Sequence, residues 1–296
     1  MAVTPEWLMT GRGVRPTLRW AFTTDAPLTD LRLARESGDV VAADESGGLY
    51  RLDRRGKINA LTRTAHSIRL VTIADTGACA AAVLNDSTLA WLDSHLKIQW
   101  TKELPDDALG LAMTAHGTHA VASLASGLNV LYDADKRKVT SFESLRPLRF
   151  VRWLTGTPGF VAAADYGFFA RYSWDGDLEW NERLWSTVSD LGATGDGKTI
   201  YLAGLAHGVQ TFDGQGNAQG SFVLEGTVHL VSTSYARKRI AAGTLERQLM
   251  VLDNEGDVKW AAHAPDDVLR FHLSALGDWV IIGFANGRIV RLDMGI

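Results

Sequence analysis

Short apolar runs alternate with polar turns along this chain, and the alternation keeps a strict frame. One apolar run in each cycle ends at Asp53, Asp93, Asp133, Ser173, Asp213, Asp253 and Asp293, each forty positions after the last. The residue before it is always large and apolar: Leu52, Leu92, Tyr132, Tyr172, Phe212, Leu252 and Leu292. Each cycle holds four runs rich in Val, Ile and Leu, parted by Gly, Asp, Asn and Ser. In the sixth they read VHLVSTS, RIAAGT, QLMVLD and DVKWAAH. This is strand patterning, and helical spacing is sustained nowhere. Four-stranded units of about forty residues are propeller blades. The chain is therefore expected to be an all-β, seven-bladed β-propeller of four-stranded antiparallel blades.

The two ends of the pattern fit each other. The seventh cycle stops after its third strand, and TLRWAF at 17–22 is a fourth strand without a blade. The N-terminal strand should complete the last blade and close the ring, leaving no open seam of unpaired backbone. Residues 17–296 then form the propeller and 1–16 an N-terminal arm. The arm carries the apolar triplet Trp7, Leu8 and Met9, either to cover a blade or to serve as a short docking peptide.

At LNDSTLAWLD (84–93) and FANGRIVRLD (284–293) the repeat resembles the WD-repeat family. His66 and Asp86 match that family's turn histidine and turn aspartate, whereas Leu92 replaces the Trp of its terminal dipeptide. At LDNEGDVKW (252–260) the chain is similar to the repeat of quinoprotein propellers. Both resemblances imply blade architecture, and both families host many unrelated functions. Quinoprotein enzymes usually have eight blades and often adjacent cysteines beside the cofactor. Here there are seven cycles and the single Cys79, so no cofactor is expected.

Composition narrows the class further. The 296 residues carry a formal charge of −4, with 46% hydrophobic and 22% charged, which suits a globular protein without a general pull toward nucleic acid. The apolar run DWVIIGF (278–284) is far too short for a membrane span, and residues 1–16 lack a signal-peptide core. A cytoplasmic protein without membrane insertion is expected.

Candidate chemistry is sparse. No nucleophile elbow or phosphate-cradling loop occurs. His116 and His119 form an H-x-x-H in a turn with no third ligand nearby, so no metal site is expected. The first strand of each blade should line the channel. Asp30 and Arg32 lie there in blade one, Arg270 and His272 in blade seven, and Arg152 and Asp190 in blades four and five. These six are either ion pairs around channel water or a small-anion site.

The turns sort onto two faces. The upper face carries the fourth-to-first and second-to-third connections. On it fall Asp44, Glu45, Asp86, Asp106, Asp107, Asp266 and Asp267, with Tyr166, Trp185 and Phe284 as aromatic anchors. An acidic rim with aromatic anchors suits a protein partner. The lower face carries RRGK (54–57), DKRK (135–138) and ARKR (236–239), which are too scattered for a nucleic-acid stripe. The sequence thus points to a non-catalytic interaction scaffold or a subunit of a larger complex. The alternative is a ligand-binding or enzymatic propeller with its site in the channel. One further column reads Trp20, Ala60, Trp100, Thr140, Trp180, Gly220, Trp260. It is expected to wedge blades apart, with Trp20 and Trp260 meeting at the closing seam.

Overall fold

A computed structural model describes residues 5–295. Seven antiparallel sheets form the ring, and in blades one to six the four blade strands follow chain order from the channel outward. Blade one is built from Leu28–Leu33, Val40–Asp44, Gly48–Leu52 and Ile58–Arg63. Blade seven takes three strands from the C-terminal repeat, and its outer strand is Thr17–Thr23. That strand pairs with Arg288–Asp293, in a register running from Thr17 opposite Asp293 to Thr23 opposite Arg288. The ring is closed by the N-terminal strand, as the orphan run predicts.

The repeating Asp does more than cap one N–H. In the turns after the third strands, one carboxylate oxygen accepts the backbone N–H two residues on and the one four residues on. For Asp253 these donors are Glu255 and Asp257, both at 3.0 Å. Asp53, Asp93, Asp133 and Asp213 repeat the pair, and the Ser173 hydroxyl stands in for it in blade four. Losing one such acceptor leaves two N–H groups to find other partners.

The Trp column works differently from the expectation. Trp20, Trp100 and Trp180 each lie over the third-to-fourth turn of the next blade. Their indole N–H groups donate to Arg54 O, Ala134 O and Gly214 O at 3.0, 2.8 and 3.1 Å. At two of the three small positions, Thr140 and Gly220, the ring two residues later takes over: Phe142 lies against Gly176 and Phe222 against Gly256, while after Ala60 the Thr62 hydroxyl donates to Leu96 O at 2.7 Å. Trp20 packs with blade one and Trp260 with blade seven, in separate core clusters. The two therefore serve successive seams and do not meet.

Trp260 is only 1% exposed because the N-terminal arm lies over it. Arg12–Gly13 adds a fifth strand to blade six, with Gly13 opposite Trp260. A short helix, Glu6–Met9, buries Leu8 in the same cluster, and Trp7 meets Phe284 edge-on at 6.1 Å between centroids. Burying Leu8 alone contributes about 2 kcal/mol. The arm covers a seam, while Met9 points outward.

Two outcomes are expected. Removing residues 1–22 deletes the closing strand and should abolish cooperative unfolding, whereas removing 1–10 should lower the melting temperature and keep one cooperative transition, both read by calorimetry. Gly256 has φ +94°, and an added Cβ would stand 2.4 Å from the Phe222 ring. Gly256→Ala should therefore cost at least about 1–2 kcal/mol in urea denaturation.

Candidate functional site

The channel is lined by the first strands, whose register slips where side chains turn inward. The slip falls between Leu28 and Asp30 in blade one, and recurs between Val188 and Asp190 and between Val268 and Arg270. Such bulges re-aim side chains.

Asp30 has no exposed surface. Its carboxylate accepts the N–H of Leu31 at 2.9 Å, the N–H of Val71 in blade two at 2.8 Å and Arg270 Nε of blade seven at 2.7 Å. It thus joins three blades. Asp190 repeats the device across the ring: it accepts from Leu191 N–H, from Val231 N–H in blade six and from Arg152 Nη2 in blade four, at 2.8, 3.0 and 3.2 Å. Among the six channel residues the structure thus forms two carboxylate–guanidinium pairs. Burial would raise the Asp30 carboxyl, but the charges of Arg270 and Arg32 and the two N–H donors outweigh it and hold it below the usual range. Burial, then the Arg32 charge, pulls Arg152 down to about 10, so it stays cationic at neutral pH.

Arg32 is different. Its Nε donates to Val71 O at 3.3 Å, and among the described residues it has no carboxylate within 4.0 Å. His272 Nε2 lies 3.0 Å from Leu31 O, which can only accept, so Nε2 carries the proton. Burial, then Arg32 and Arg152, push His272 well below its ordinary value, and its ring is neutral.

Arg32 and Arg152 divide the channel into two spaces. Above them a funnel of about 1120 Å³ opens among the upper turns past Glu45, Arg69, Arg149 and Asp165. Below them lies a chamber of about 110 Å³, lined by Thr72, Ser232, His272 and the two arginines. At the lower end Tyr235 of blade six donates to Asp75 of blade two at 2.6 Å, while Arg35 lies 4.3 Å over the Tyr235 ring. The sequence did not single out this trio; its members lie in one frame, at 35, 75 and 235.

The upper face departs from the acidic picture. Asp44 is 0% exposed; it accepts from Ser46 N–H, Gly48 N–H and the Tyr50 hydroxyl at 3.0, 2.8 and 2.8 Å, and is a buried turn cap. Phe284 is 1% exposed, shut in by Trp7 of the arm. Neither is available to a partner. Several acids on the rim are already paired: Asp86 with His66, Asp107 with Arg69 and Asp267 with Arg247, at 3.5, 3.0 and 2.7 Å. Asp106 and Asp266 cap the N–H of the next residue. Glu45 stands exposed at the funnel mouth.

Tyr166 and Trp185 are exposed, Trp185 at 74% with Arg183 stacked 4.5 Å from its ring. They have company. Leu145, Leu205, Val223 and Leu245 are also exposed, Val223 at 87%, and all four sit on upper-face turns of the same half of the ring. The six residues form an arc along blades four to six. The corresponding turns of blades seven, one and two carry no exposed large apolar residue. Isolated Leu and Val in turns drew no notice in the sequence, because only their exposure sets them apart.

Elsewhere, His119 packs edge-on against Trp174 at 4.4 Å and His116 is exposed. The carboxylates of Asp253, Glu255 and Asp257 cluster, with Lys259 Nζ 2.6 Å from Asp253 and 3.5 Å from Asp257, as an ion-pair group at a turn. The Cys79 thiol is pushed up to about 11 by burial, which leaves it a poor nucleophile at neutral pH. No helix among the described residues is long and apolar enough to cross a membrane. No protein-family model matches the chain, and no curated protein matches it. The fold is a seven-bladed β-propeller.

Because the folded protein lowers the Asp30 pKa, the stability from this carboxylate is present above its unfolded value, about pH 4, and is lost as pH falls through the folded value. The stability gap between wild type and Asp30→Asn should be full at pH 6 and narrow steadily below pH 4, as measured by urea denaturation at each pH.

Proposed function

We propose that the protein is a non-catalytic platform that holds a protein partner on its upper face. The observation that supports this is the division of that face into an apolar arc on blades four to six and a polar sector on blades seven, one and two. Exposed apolar residues on successive turns, with an aromatic–Arg pair among them, have the composition of an interface core. The polar sector keeps Glu45, Glu103, Asp106 and Asp266 without a basic partner within 4.0 Å among the described residues. The fitting occupant is a segment with apolar anchors followed by Lys or Arg, the anchors on the arc and the cations over the acids.

The resemblance at LNDSTLAWLD and LDNEGDVKW supports placing the chain among WD-like or quinoprotein-like propellers used as scaffolds. A single, half-buried Cys79 suits a reducing compartment such as the cytoplasm.

The test is selection of a displayed random-peptide library on the purified protein. Enriched peptides should combine apolar anchors with basic residues, bind less at high salt and lose at least about 2 kcal/mol, roughly 30-fold in Kd, on Trp185→Ala. Leu276→Ser, at an exposed site on the lower face, should change nothing. No enrichment, binding indifferent to Trp185→Ala, or a dimer of the protein itself that buries the arc would overturn the platform.

A further inference from the structure

We propose that the channel binds a phosphoryl group where the funnel meets the chamber, with Arg32 as its principal ligand and Arg152, Thr72 and Ser232 around it.

The first ground is charge. Three guanidiniums, Arg32, Arg152 and Arg270, meet two carboxylates, Asp30 and Asp190, at this depth. Arg270 takes Asp30 and Arg152 takes Asp190. Arg32 remains without a carboxylate. His272 adds no charge, and Arg35 and Asp75 below balance each other at 3.6 Å. One positive charge is therefore uncompensated among half-buried side chains inside the channel. Such a charge is costly to hold alone and strongly favours an anion.

The second ground is geometry. Arg32 and Arg152 line both the funnel and the chamber, so a group seated between the two spaces reaches both side chains. Arg32 spends only Nε on the protein, in its bond to Val71 O, which leaves its terminal NH₂ groups free as a fork. Ser232 Oγ accepts Leu273 N–H at 3.1 Å, so its own hydrogen is free to donate, and Thr72 brings a second hydroxyl to the chamber wall. Guanidinium- and hydroxyl-bearing side chains from four blades, Arg32, Thr72, Arg152 and Ser232, line the same chamber, and donors coming from several directions suit a tetrahedral oxyanion better than a planar carboxylate. The chamber, about 110 Å³, has room for one such group.

The third ground is access. The funnel is ten times larger than the chamber and open to the upper face, with Arg69 and Arg149 on its wall, paired to Asp107 and Asp165 at 3.0 and 3.3 Å. The same phosphoryl group could arrive as inorganic phosphate or on a phosphomonoester whose organic part lies in the funnel.

The experiment is calorimetric titration of the whole chain with inorganic phosphate and with phenyl phosphate, beside a thermal shift. Both ligands should bind at one per chain and raise the melting temperature. Arg32→Met should weaken both at least ~10-fold, a change of about 1.4 kcal/mol. Ser232→Ala, which keeps the backbone and all charges, should weaken both more modestly and serves if Arg32→Met fails to fold. Arg137→Ala, exposed on the lower face, should leave both unchanged. If Arg149→Ala weakens phenyl phosphate alone, the natural ligand is an organic phosphate; equal affinities that ignore Arg149 indicate free phosphate. Absence of binding up to millimolar ligand, or affinities that Arg32→Met and Ser232→Ala leave unchanged, would overturn the site.

Discussion

A ring of sheets is held by one joint that the covalent chain does not supply. Thr17–Thr23 must find Arg288–Asp293 across the whole sequence before blade seven has its fourth strand. Until then the edge of Arg288–Asp293 is unpaired, and Trp20 has not reached the turn of blade one. Every other blade forms from consecutive strands and can order locally. Closure therefore couples the two ends of the molecule, and the arm beyond the closing strand reinforces the seam by covering Trp260 and packing Trp7 on Phe284.

Inside the ring, polar groups do the work that apolar contacts do elsewhere. Seven inner strands converge where there is little room for large side chains and where backbone groups face a watery channel. Asp30 and Asp190 meet that constraint by taking N–H groups from their own blade and the next, and a guanidinium from the blade before. Each unites three blades, seven–one–two and four–five–six. Blade three has no such carboxylate at this frame, where Gly110 stands, and its inner strand relies on apolar packing by Leu111 and Met113. The same device leaves Arg32 as the odd cation. A structural solution and a chemical opportunity thus come from one small set of side chains.

The architecture was legible because the forty-residue frame is set by turns, and the turns are set by local hydrogen bonds that Asp and Gly make within five residues. The six channel residues were legible from their place on the first strands, and ring closure brought Asp30 beside Arg270, but which acid takes which guanidinium was not. What escaped the sequence depended on packing across blades. Asp44 reads as a surface acid until Tyr50 folds back onto it. Phe284 reads as an anchor until the arm covers it. The Trp column pointed to blade packing, but which seam each ring serves follows from the reach of the side chain to the next turn. The apolar arc was seen only at Tyr166 and Trp185, because a leucine in a turn has no signature until its exposure is known.

The hydrogen bond from Tyr235 to Asp75 spans 160 positions and links blades two and six, which are not neighbours. Without Tyr235, the ties described above run only between neighbouring blades, like links of a bracelet. With it, the bracelet has a spoke. Flattening the ring along that diameter would have to stretch the bond and unstack Arg35 from the tyrosine, so the circle resists becoming an oval in that direction more than in others. One phenol thus ties together parts of the ring that the neighbour-to-neighbour sheets leave apart.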